Sequence, residues 1–158
     1  ISSPLIMHWP DGLARRGEID RRPAHVIDIA ATLLDFGKAA YPERLGGHDI
    51  LPIAGRSLRP VLNDQPWADR ALFFEHEGNR AVRIGRWKLV WTNFDQHWEL
   101  YDVDADRSEV RDLAAEYPGR VKRMADAWSR WASRHFVESQ RVQQPESGMP
   151  RIYYWRDE

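Results

Sequence analysis

The chain has 158 residues, of which 42% are hydrophobic and 30% are charged, a composition typical of a folded globular chain. The 23 basic residues nearly balance the 24 acidic ones, so the net charge of -1 gives no global field that would attract nucleic acid or an anionic membrane. The absence of cysteine excludes disulfides, thiolate metal ligands and a cysteine nucleophile within these residues.

The first part of the chain, residues 1–66, predicts one strand, one helix and long loops. Leu5–Trp9 is a nearly continuous apolar run that favours a buried strand. Residues 25–36 predict a helix that is apolar nearly all round and therefore well buried, with His25 at its N-cap. A loop over 38–56 follows, and then a short helical turn. Because the chain begins just before a predicted strand, we expect further sequence upstream.

Residues 67–135 predict a small antiparallel sheet covered by a helix. Four segments with strand patterns are joined by short connections, which favours antiparallel pairing; they are Ala71–His76, Arg80–Ile84, Trp87–Trp91 and Trp98–Val103. Apolar residues then recur at steps of three and four from Leu113 to Trp131, which predicts an amphipathic helix with Pro118 in its first turn. The remaining residues, 136–158, predict an irregular tail. The predicted fold class is α/β.

Five groups of residues carry a family resemblance through their order along the chain. They are Ser3–Pro10, His25–Gly37, Gly55–Leu58, Phe74–Arg83 with Gly85–Val90, and Glu99–Asp102 with Asp112–Ala114. In this order they resemble the C-terminal third of sulfatases of the arylsulfatase type, within the alkaline-phosphatase-like superfamily. Ala31 stands where that family commonly has proline. Each segment alone is weakly specific, whereas the ordered set covers residues 1–135.

The resemblance implies a parent enzyme that hydrolyses sulfate esters to an alcohol and inorganic sulfate. It also implies a formylglycine nucleophile made from cysteine or serine, and calcium or another divalent cation, both in the missing upstream part. The nucleophile motif is absent here, so no catalytic residue and no metal ligand is assigned to this chain. We expect the chain to be inactive alone, to complete the sheet and to form a wall of the substrate pocket. The expected partners are the upstream sulfatase segment and the sulfate-ester substrate, with no nucleic acid and no membrane.

The best candidates for substrate binding are His76 and Asn79, which flank Gly78 at the end of a predicted strand. A loop with these side chains can reach into a pocket. The competing interpretation is a hairpin bend in which both side chains satisfy backbone groups. Arg56 with Ser57 resembles an anion site at a helix start, although a loop anchor is favoured.

Three further features have simpler interpretations than a binding site. Arg83 and Lys88 are predicted to face solvent on the hairpin. Asp102, Asp104 and Asp106 alternate along a strand and turn, but the residue after them is Arg where an EF-hand loop requires Gly, which favours a solvated turn.

Two other functions stay open at this point. In the first, the parent belongs to a related group of hydrolases in the same superfamily, acting on phosphate or phosphonate esters. Alternatively, the segment is a non-catalytic glycan-binding module that uses its aromatic residues, of which there are eight Trp, five Tyr and five Phe.

Overall fold

The computed structural model describes residues 3–13, 15–135 and 137. They belong to two compact units, which meet in the sequence between Asp69 and Arg70. The α/β fold class, ending in a four-stranded antiparallel sheet packed on a long helix, is confirmed. The domain boundaries drawn from the sequence stay a prediction, and the predicted irregular tail lies outside the described residues apart from Val137.

The first unit contains two helices and a small hairpin. These elements are α1 (Ile27–Phe36), β1 (Arg44–Leu45), β2 (His48–Asp49) and α2 (Arg59–Leu62). The sequence analysis missed the hairpin, whose turn residues Gly46 and Gly47 have φ of 58° and 85°. This left-handed conformation suits glycine, and two such residues match the twist of a hairpin.

The run Leu5–Trp9, predicted to be a buried strand, is exposed and is not a strand in the structure. A strand needs a neighbour to accept and donate its backbone hydrogen bonds. Among residues 3–13 and 15–69, none pairs with this run. The apolar pattern was therefore recognised correctly, but the burial that it predicts is absent from this chain.

The start of α1 is fixed by Asp28, whose side chain is fully buried. One carboxylate oxygen accepts a hydrogen bond from the backbone N–H of His25 at 2.9 Å, and the other accepts one from the N–H of Arg56 at 2.8 Å. Val26, rather than His25, occupies the N-cap. The expectation of a well-buried helix is wrong for this chain, because Val26 and Leu33 are 71% and 68% exposed.

The second unit consists of one meander sheet and one helix. Its elements are β3 (Ala71–His76), β4 (Asn79–Ile84), β5 (Trp87–Trp91), β6 (Trp98–Asp102) and α3 (Pro118–Arg134), with strand order β3-β4-β5-β6. Val82 pairs with Leu89, and Leu89 pairs with Leu100, so these three form one row across the sheet. All three are 0% exposed. Trp128 of α3 packs against this row, which places the core between the sheet and the helix.

The antiparallel order brings two connections to the same end of the sheet. The β3–β4 turn and the β5–β6 connection lie at one end, whereas the β4–β5 turn lies at the other. We call the first of these the loop end, formed by residues 76–79 and 92–97. Both candidate substrate-binding residues lie there.

Candidate functional site

The β3–β4 connection at the loop end is a tight two-residue turn. Glu77 and Gly78 have φ of 52° and 80°, the pair of positive values that a type I′ hairpin turn requires. The N–H of Gly78 donates a 2.8 Å hydrogen bond to the carboxylate of Glu75. A Cβ at Gly78 would also overlap the side chain of Asn93. This turn therefore holds His76 and Asn79 close to the β5–β6 loop, which carries Asn93.

Asn79 joins this turn to the β5–β6 loop. Its Nδ2 donates to the carbonyl oxygen of His76 at 3.1 Å, and its Oδ1 accepts from the backbone N–H of Asn93 at 3.0 Å. In return, the Asn93 amide donates to the carbonyl oxygen of Glu77. The side chain of Asn79 is thus engaged with backbone groups on both loops. Its direct contact with substrate stays a prediction.

His76 differs from Asn79 in what its side chain contacts. It is the last residue of β3, it is exposed, and no residue in the described ranges forms a hydrogen bond with its ring. Both ring nitrogens are therefore available to a ligand. Substrate binding by His76 also stays a prediction, and the structure brings it next to Asn79 as cross-strand neighbours.

The β5–β6 loop forms the second part of the loop end and is internally braced. The Thr92 hydroxyl donates to the Asp95 carboxylate at 2.8 Å, and the N–H of Gln96 donates to the Thr92 carbonyl at 3.0 Å. His97 Nδ1 lies 3.2 Å from the Asp95 carbonyl oxygen. This hydrogen bond, together with the nearby Glu99 carboxylate, raises the pKa of His97.

Arg80 is a functional candidate that the sequence analysis missed. Its guanidinium carbon lies 5.3 Å from the centre of the Trp91 ring and 4.9 Å from that of Trp128. The Trp91 contact follows from the hairpin register, in which Arg80 pairs with Trp91. The Trp128 contact depends on how α3 docks, which local sequence patterns do not specify.

Lys88 does not face solvent as predicted from the sequence. It is 9% exposed, and its Nζ lies 2.5 Å and 2.6 Å from the two carboxylate oxygens of Glu109. Glu109 has φ of 56°, in the left-handed region. A buried ammonium group needs such a partner. The pair fixes the loop that follows β6 against β5, so its role is structural.

The carboxylate of Asp102 is committed to the turn that follows β6. It forms an ion pair with Arg86, and one of its oxygens lies 3.3 Å from the backbone nitrogens of Asp104 and Ala105. Arg86 contributes most to lowering the pKa of Asp102, and these backbone hydrogen bonds lower it further. The geometry is that of an aspartate that stabilises its own turn.

The segment Gly55–Leu58 anchors a loop to α1, the interpretation that the sequence favoured. A Cβ at Gly55 would overlap the carbonyl oxygen of Ile27, so only glycine allows this approach. The Ser57 hydroxyl hydrogen-bonds to Asp35, and the N–H of Leu58 donates to the Thr32 hydroxyl at 2.9 Å. These groups are satisfied within the unit rather than directed at an anion.

The described part of the chain lacks the groups for the chemistry that the resemblance implies. Across residues 3–13, 15–135 and 137, no set of three or more His, Asp or Glu side chains is placed to hold a metal ion. No helix in these ranges is long and apolar enough to cross a membrane. The residues in these ranges therefore do not fit a divalent cation site. The motif Cys/Ser-x-Pro-Ser/Ala-Arg, from which the family makes its formylglycine, is absent from the sequence.

Comparison with known families gives a match over most of the chain. Residues 1–126 match the family described as "N-sulphoglucosamine sulphohydrolase, C-terminal". The match includes the whole four-stranded sheet and the first half of α3.

Two curated sulfatases are similar in sequence to most of this chain. An uncharacterized sulfatase of Schizosaccharomyces pombe is 27% identical over 139 residues, covering 81% of this chain and 24% of that protein. The N-acetylglucosamine-6-O-sulfatase of Bacteroides thetaiotaomicron is 28% identical over 137 residues, covering 77% of this chain and 23% of that protein. The chain spans about a quarter of the length of these relatives.

Among solved structures, the fold resembles that of Ps i-CgsB in complex with k-i-k-neocarrahexaose. The TM-score is 0.54 at 22% identity, covering 66% of this chain and 23% of that one. At this identity the likeness shows the fold alone.

Proposed function

Since this chain belongs to the N-sulphoglucosamine sulphohydrolase C-terminal family, we propose that the whole protein hydrolyses a sulfate ester to an alcohol and inorganic sulfate. The observation that carries the proposal is the family match over residues 1–126. The curated relatives that share this region are sulfatases, and the matching family is described as C-terminal, which supports a place in the C-terminal part of such an enzyme.

The proposed substrate is a sulfated saccharide. This rests on the names of the family and of the Bacteroides relative, both of which refer to a sulfated glucosamine. The loop end is consistent with such a ligand, because it combines an accessible imidazole at His76 with a braced loop that exposes 74% of Phe94. Hydroxyl groups and ring faces of a sugar can contact these two kinds of side chain.

The proposed role of this chain is to form one wall of the substrate pocket. His76 contacts the substrate. Asn79 holds the turn of His76 against the β5–β6 loop through two hydrogen bonds, one to the backbone of His76 and one from the backbone of Asn93, and the Asn93 side chain adds a third to the carbonyl oxygen of Glu77. These hydrogen bonds join the two loops before substrate arrives, which should lower the ordering entropy lost on binding.

The proposed partner is the sulfatase segment that corresponds to the part of the relatives outside the matched region. Its docking surface is proposed to include the exposed apolar residues of the first unit, among which Ile6, Val26 and Leu33 are 87%, 71% and 68% exposed. Surfaces of this kind mark contacts with another element. The nucleophile and the divalent cation are proposed to belong to that segment, where a cationic clamp on the sulfate would supply the electrostatic stabilisation.

The test is to assay the full-length protein on sulfated and phosphorylated forms of the same compound. We expect sulfate release from 4-nitrophenyl sulfate and from N-acetylglucosamine 6-sulfate, and little phosphate release from 4-nitrophenyl phosphate. Phosphate release without sulfate release would instead establish a phosphoester hydrolase. Saccharide binding without any turnover would favour the glycan-binding module.

A substitution at His76 tests the pocket wall directly. His76→Ala is expected to lower kcat/KM on the saccharide about tenfold or more, since one hydrogen bond to a ligand is worth about 1 kcal/mol or more. The matched control is His48→Ala, which removes an exposed imidazole from β2 in the other unit. Equal activity of both variants would show that His76 does not contact the substrate.

A further inference from the structure

A cavity of about 350 Å³ lies at the end of the sheet opposite the loop end. The β4–β5 turn, the connection after β6 and the residues that precede α3 each contribute to it, for example through Arg86, Asp106 and Tyr117. Strand β5 extends over five residues between the two ends, which corresponds to about 14 Å. The cavity is therefore separate from the turn that carries His76.

Two aromatic side chains form an apolar part of the cavity. The ring centres of Trp87 and Tyr117 are 5.2 Å apart, and the ring planes are inclined by 56°. The guanidinium carbon of Arg120 lies 4.3 Å from the centre of the Trp87 ring, so that ring is partly covered. Tyr117 is 42% exposed, and no residue in the described ranges forms a hydrogen bond with its hydroxyl. Tyr117 therefore offers both a ring and a hydroxyl to a ligand.

The polar part of the cavity presents donors and acceptors together. Arg86 donates to Asp102, and Arg111 donates to Glu116 at 2.8 Å. An arginine has five N–H donors and a carboxylate has about four acceptor positions, so each pair retains unused hydrogen-bonding capacity. The side chains of Arg111 and Glu116 are 72% and 49% exposed, which leaves both accessible to a ligand.

Backbone hydrogen bonds tie the walls of the cavity to the sheet. The N–H of Val103 donates to the carbonyl oxygen of Arg86 at 2.8 Å, and the N–H of Leu113 donates to that of Leu100 at 2.8 Å. Arg86 and Leu113 both line the cavity. A site whose walls are already held in place loses less ordering entropy when a ligand binds.

The charges around the cavity balance one another. Three carboxylates and two arginines line it, namely Asp102, Asp106, Glu116, Arg86 and Arg111. Arg120, on the Trp87 ring, brings the sum of these charges to zero. Neither an anion nor a cation is therefore favoured, and the ligand that matches mixed donors and acceptors is one with hydroxyl groups, since each hydroxyl can donate and accept.

We propose that this cavity binds an uncharged pyranose, as a saccharide site separate from the loop end. One face of the sugar ring packs on Tyr117, and the sugar hydroxyls form hydrogen bonds with the Arg86–Asp102 and Arg111–Glu116 pairs. The volume is within the range of sites for small ligands, about 300–1,000 Å³. The inference does not rest on sulfate-ester hydrolysis, because it concerns binding by other residues at the other end of the sheet.

The test measures binding of uncharged sugars to the full-length protein by saturation-transfer NMR titration. The probes are methyl β-glucopyranoside, methyl β-galactopyranoside, N-acetylglucosamine and cellohexaose. The wild type is expected to bind at least one of them with a Kd of about 1 mM or below. Binding of cellohexaose about tenfold or more tighter than that of the monosaccharides identifies one unit of a polymer as the ligand, and equal affinities identify a free sugar.

Substitutions of Tyr117 locate the bound sugar. Tyr117→Ala should weaken binding about tenfold or more, because it removes the ring on which the sugar packs. Tyr117→Phe keeps the ring and loses the hydroxyl, so its loss should be smaller, about two- to threefold. The matched control is Tyr41→Ala, since Tyr41 is 43% exposed and belongs to the first unit. That variant should bind as the wild type does.

Arg111→Gln tests the site without disturbing the packing of an aromatic ring. Its ion pair with Glu116 is exposed and contributes little to stability, so the melting temperature should not change. Binding should weaken about threefold or more through the lost charged donor. This variant keeps the inference testable even if a thermal melt shows that Tyr117→Ala is unfolded.

Each outcome supports or overturns the proposed site. Weaker binding by Tyr117→Ala and Arg111→Gln, with unchanged binding by Tyr41→Ala and His76→Ala, supports it. Weaker binding by His76→Ala alone would assign the sugar to the loop end and overturn it, as would equal binding by all variants. Failure of the wild type to bind any of the four sugars would also overturn it.

The proposed sulfatase activity is followed in a separate assay. Sulfate release from 4-nitrophenyl sulfate should be the same in the wild type and in Tyr117→Ala, because the cavity is at the opposite end of the sheet from His76. Loss of sugar binding with sulfate release retained contradicts nothing in the proposed function. Sugar binding without sulfate release would instead leave the cavity site standing and count against the sulfatase.

Discussion

The two units of this chain differ in how far each one buries its own apolar residues. In the second unit, Val82, Leu89 and Leu100 are 0% exposed beneath α3. In the described part of the first unit, Leu58 is buried at 4%, whereas Leu33 on α1 remains 68% exposed. The second unit is therefore built from contacts within about 60 consecutive residues, as expected for a meander sheet and the helix that follows it. The exposed face of the first unit supports the proposal that a further segment docks there.

The largest expected difference between the two units is in the free energy of unfolding that each loses when one of its leucines is replaced by alanine. Leu89→Ala removes a fully buried side chain and should lower the free energy of unfolding of the second unit by about 2–5 kcal/mol. Leu33→Ala removes an exposed one and should cost less than about 0.5 kcal/mol in this chain. Amide hydrogen exchange under denaturant, read separately for β5 and α1, measures both.

The same pair of variants in the full-length protein tests the docking surface. There, Leu33→Ala should cost clearly more than in the present chain, because the proposed partner segment buries that side chain. An unchanged small cost would place the docking surface elsewhere. A small cost for Leu89→Ala would contradict the core assigned to the second unit.

An intermediate effect is expected from two glycines that have opposite surroundings. Gly55→Ala places a Cβ against the carbonyl oxygen of Ile27 and should destabilise the first unit by about 1–3 kcal/mol. Gly119→Ala, near the start of α3, meets nothing closer than an Arg123 side-chain atom at 3.6 Å and should stabilise the second unit by about 0.5–1 kcal/mol. Urea unfolding of each variant checks the opposite signs, and stabilisation by Gly55→Ala would refute the close approach of the loop to α1.

The smallest effect is expected in acid, where each unit contains an aspartate paired with arginine. Arg59 lowers the pKa of Asp35 in the first unit, as Arg86 lowers that of Asp102 in the second. A carboxyl whose pKa is lowered by folding contributes stability that is fully present above its ordinary pKa of about 4 and is lost as the pH falls below it. Asp102→Asn should therefore flatten the decline in stability between about pH 5 and pH 2 in the second unit only.

Unfolding by urea over this pH range, followed by the exchange of amides in each unit, measures that change. Asp35→Asn serves as the counterpart and should flatten the decline in the first unit. If both variants retain the full acid dependence of the wild type, the ion pairs do not contribute to it.

The sheet was predictable because its information is local. Alternating apolar residues and a short glycine-containing turn specify β4 and β5 without help from residues distant in sequence. All four predicted strands are present, with ends shifted by one residue at most. The two-residue turn around Gly78 also follows from the sequence, and it brings His76 and Asn79 together. The short hairpin at residues 44–49 was missed because strands of two residues show no periodicity.

The candidate site was predictable only in part, for a reason that Asn79 and Arg80 illustrate. Sequence analysis selected Asn79 as a polar residue in a turn, and the structure shows that its amide is used by the backbone of two loops. The same analysis passed over Arg80, since an arginine within a strand usually extends into solvent. Trp128, whose ring also contacts the Arg80 guanidinium, lies 48 residues further along the chain.

The sequence by itself determined the family, the α/β class and the order of the strands in the second unit, because short-range patterns and turn residues encode these. The tertiary structure decided what each polar side chain does. Burial of Lys88 against Glu109, the engagement of Asn79 by two loops and the contact of Arg80 with Trp128 all depend on residues distant in sequence. Such partners are selected by the packing of helix and loops on the sheet, and no local pattern along the chain specifies that packing.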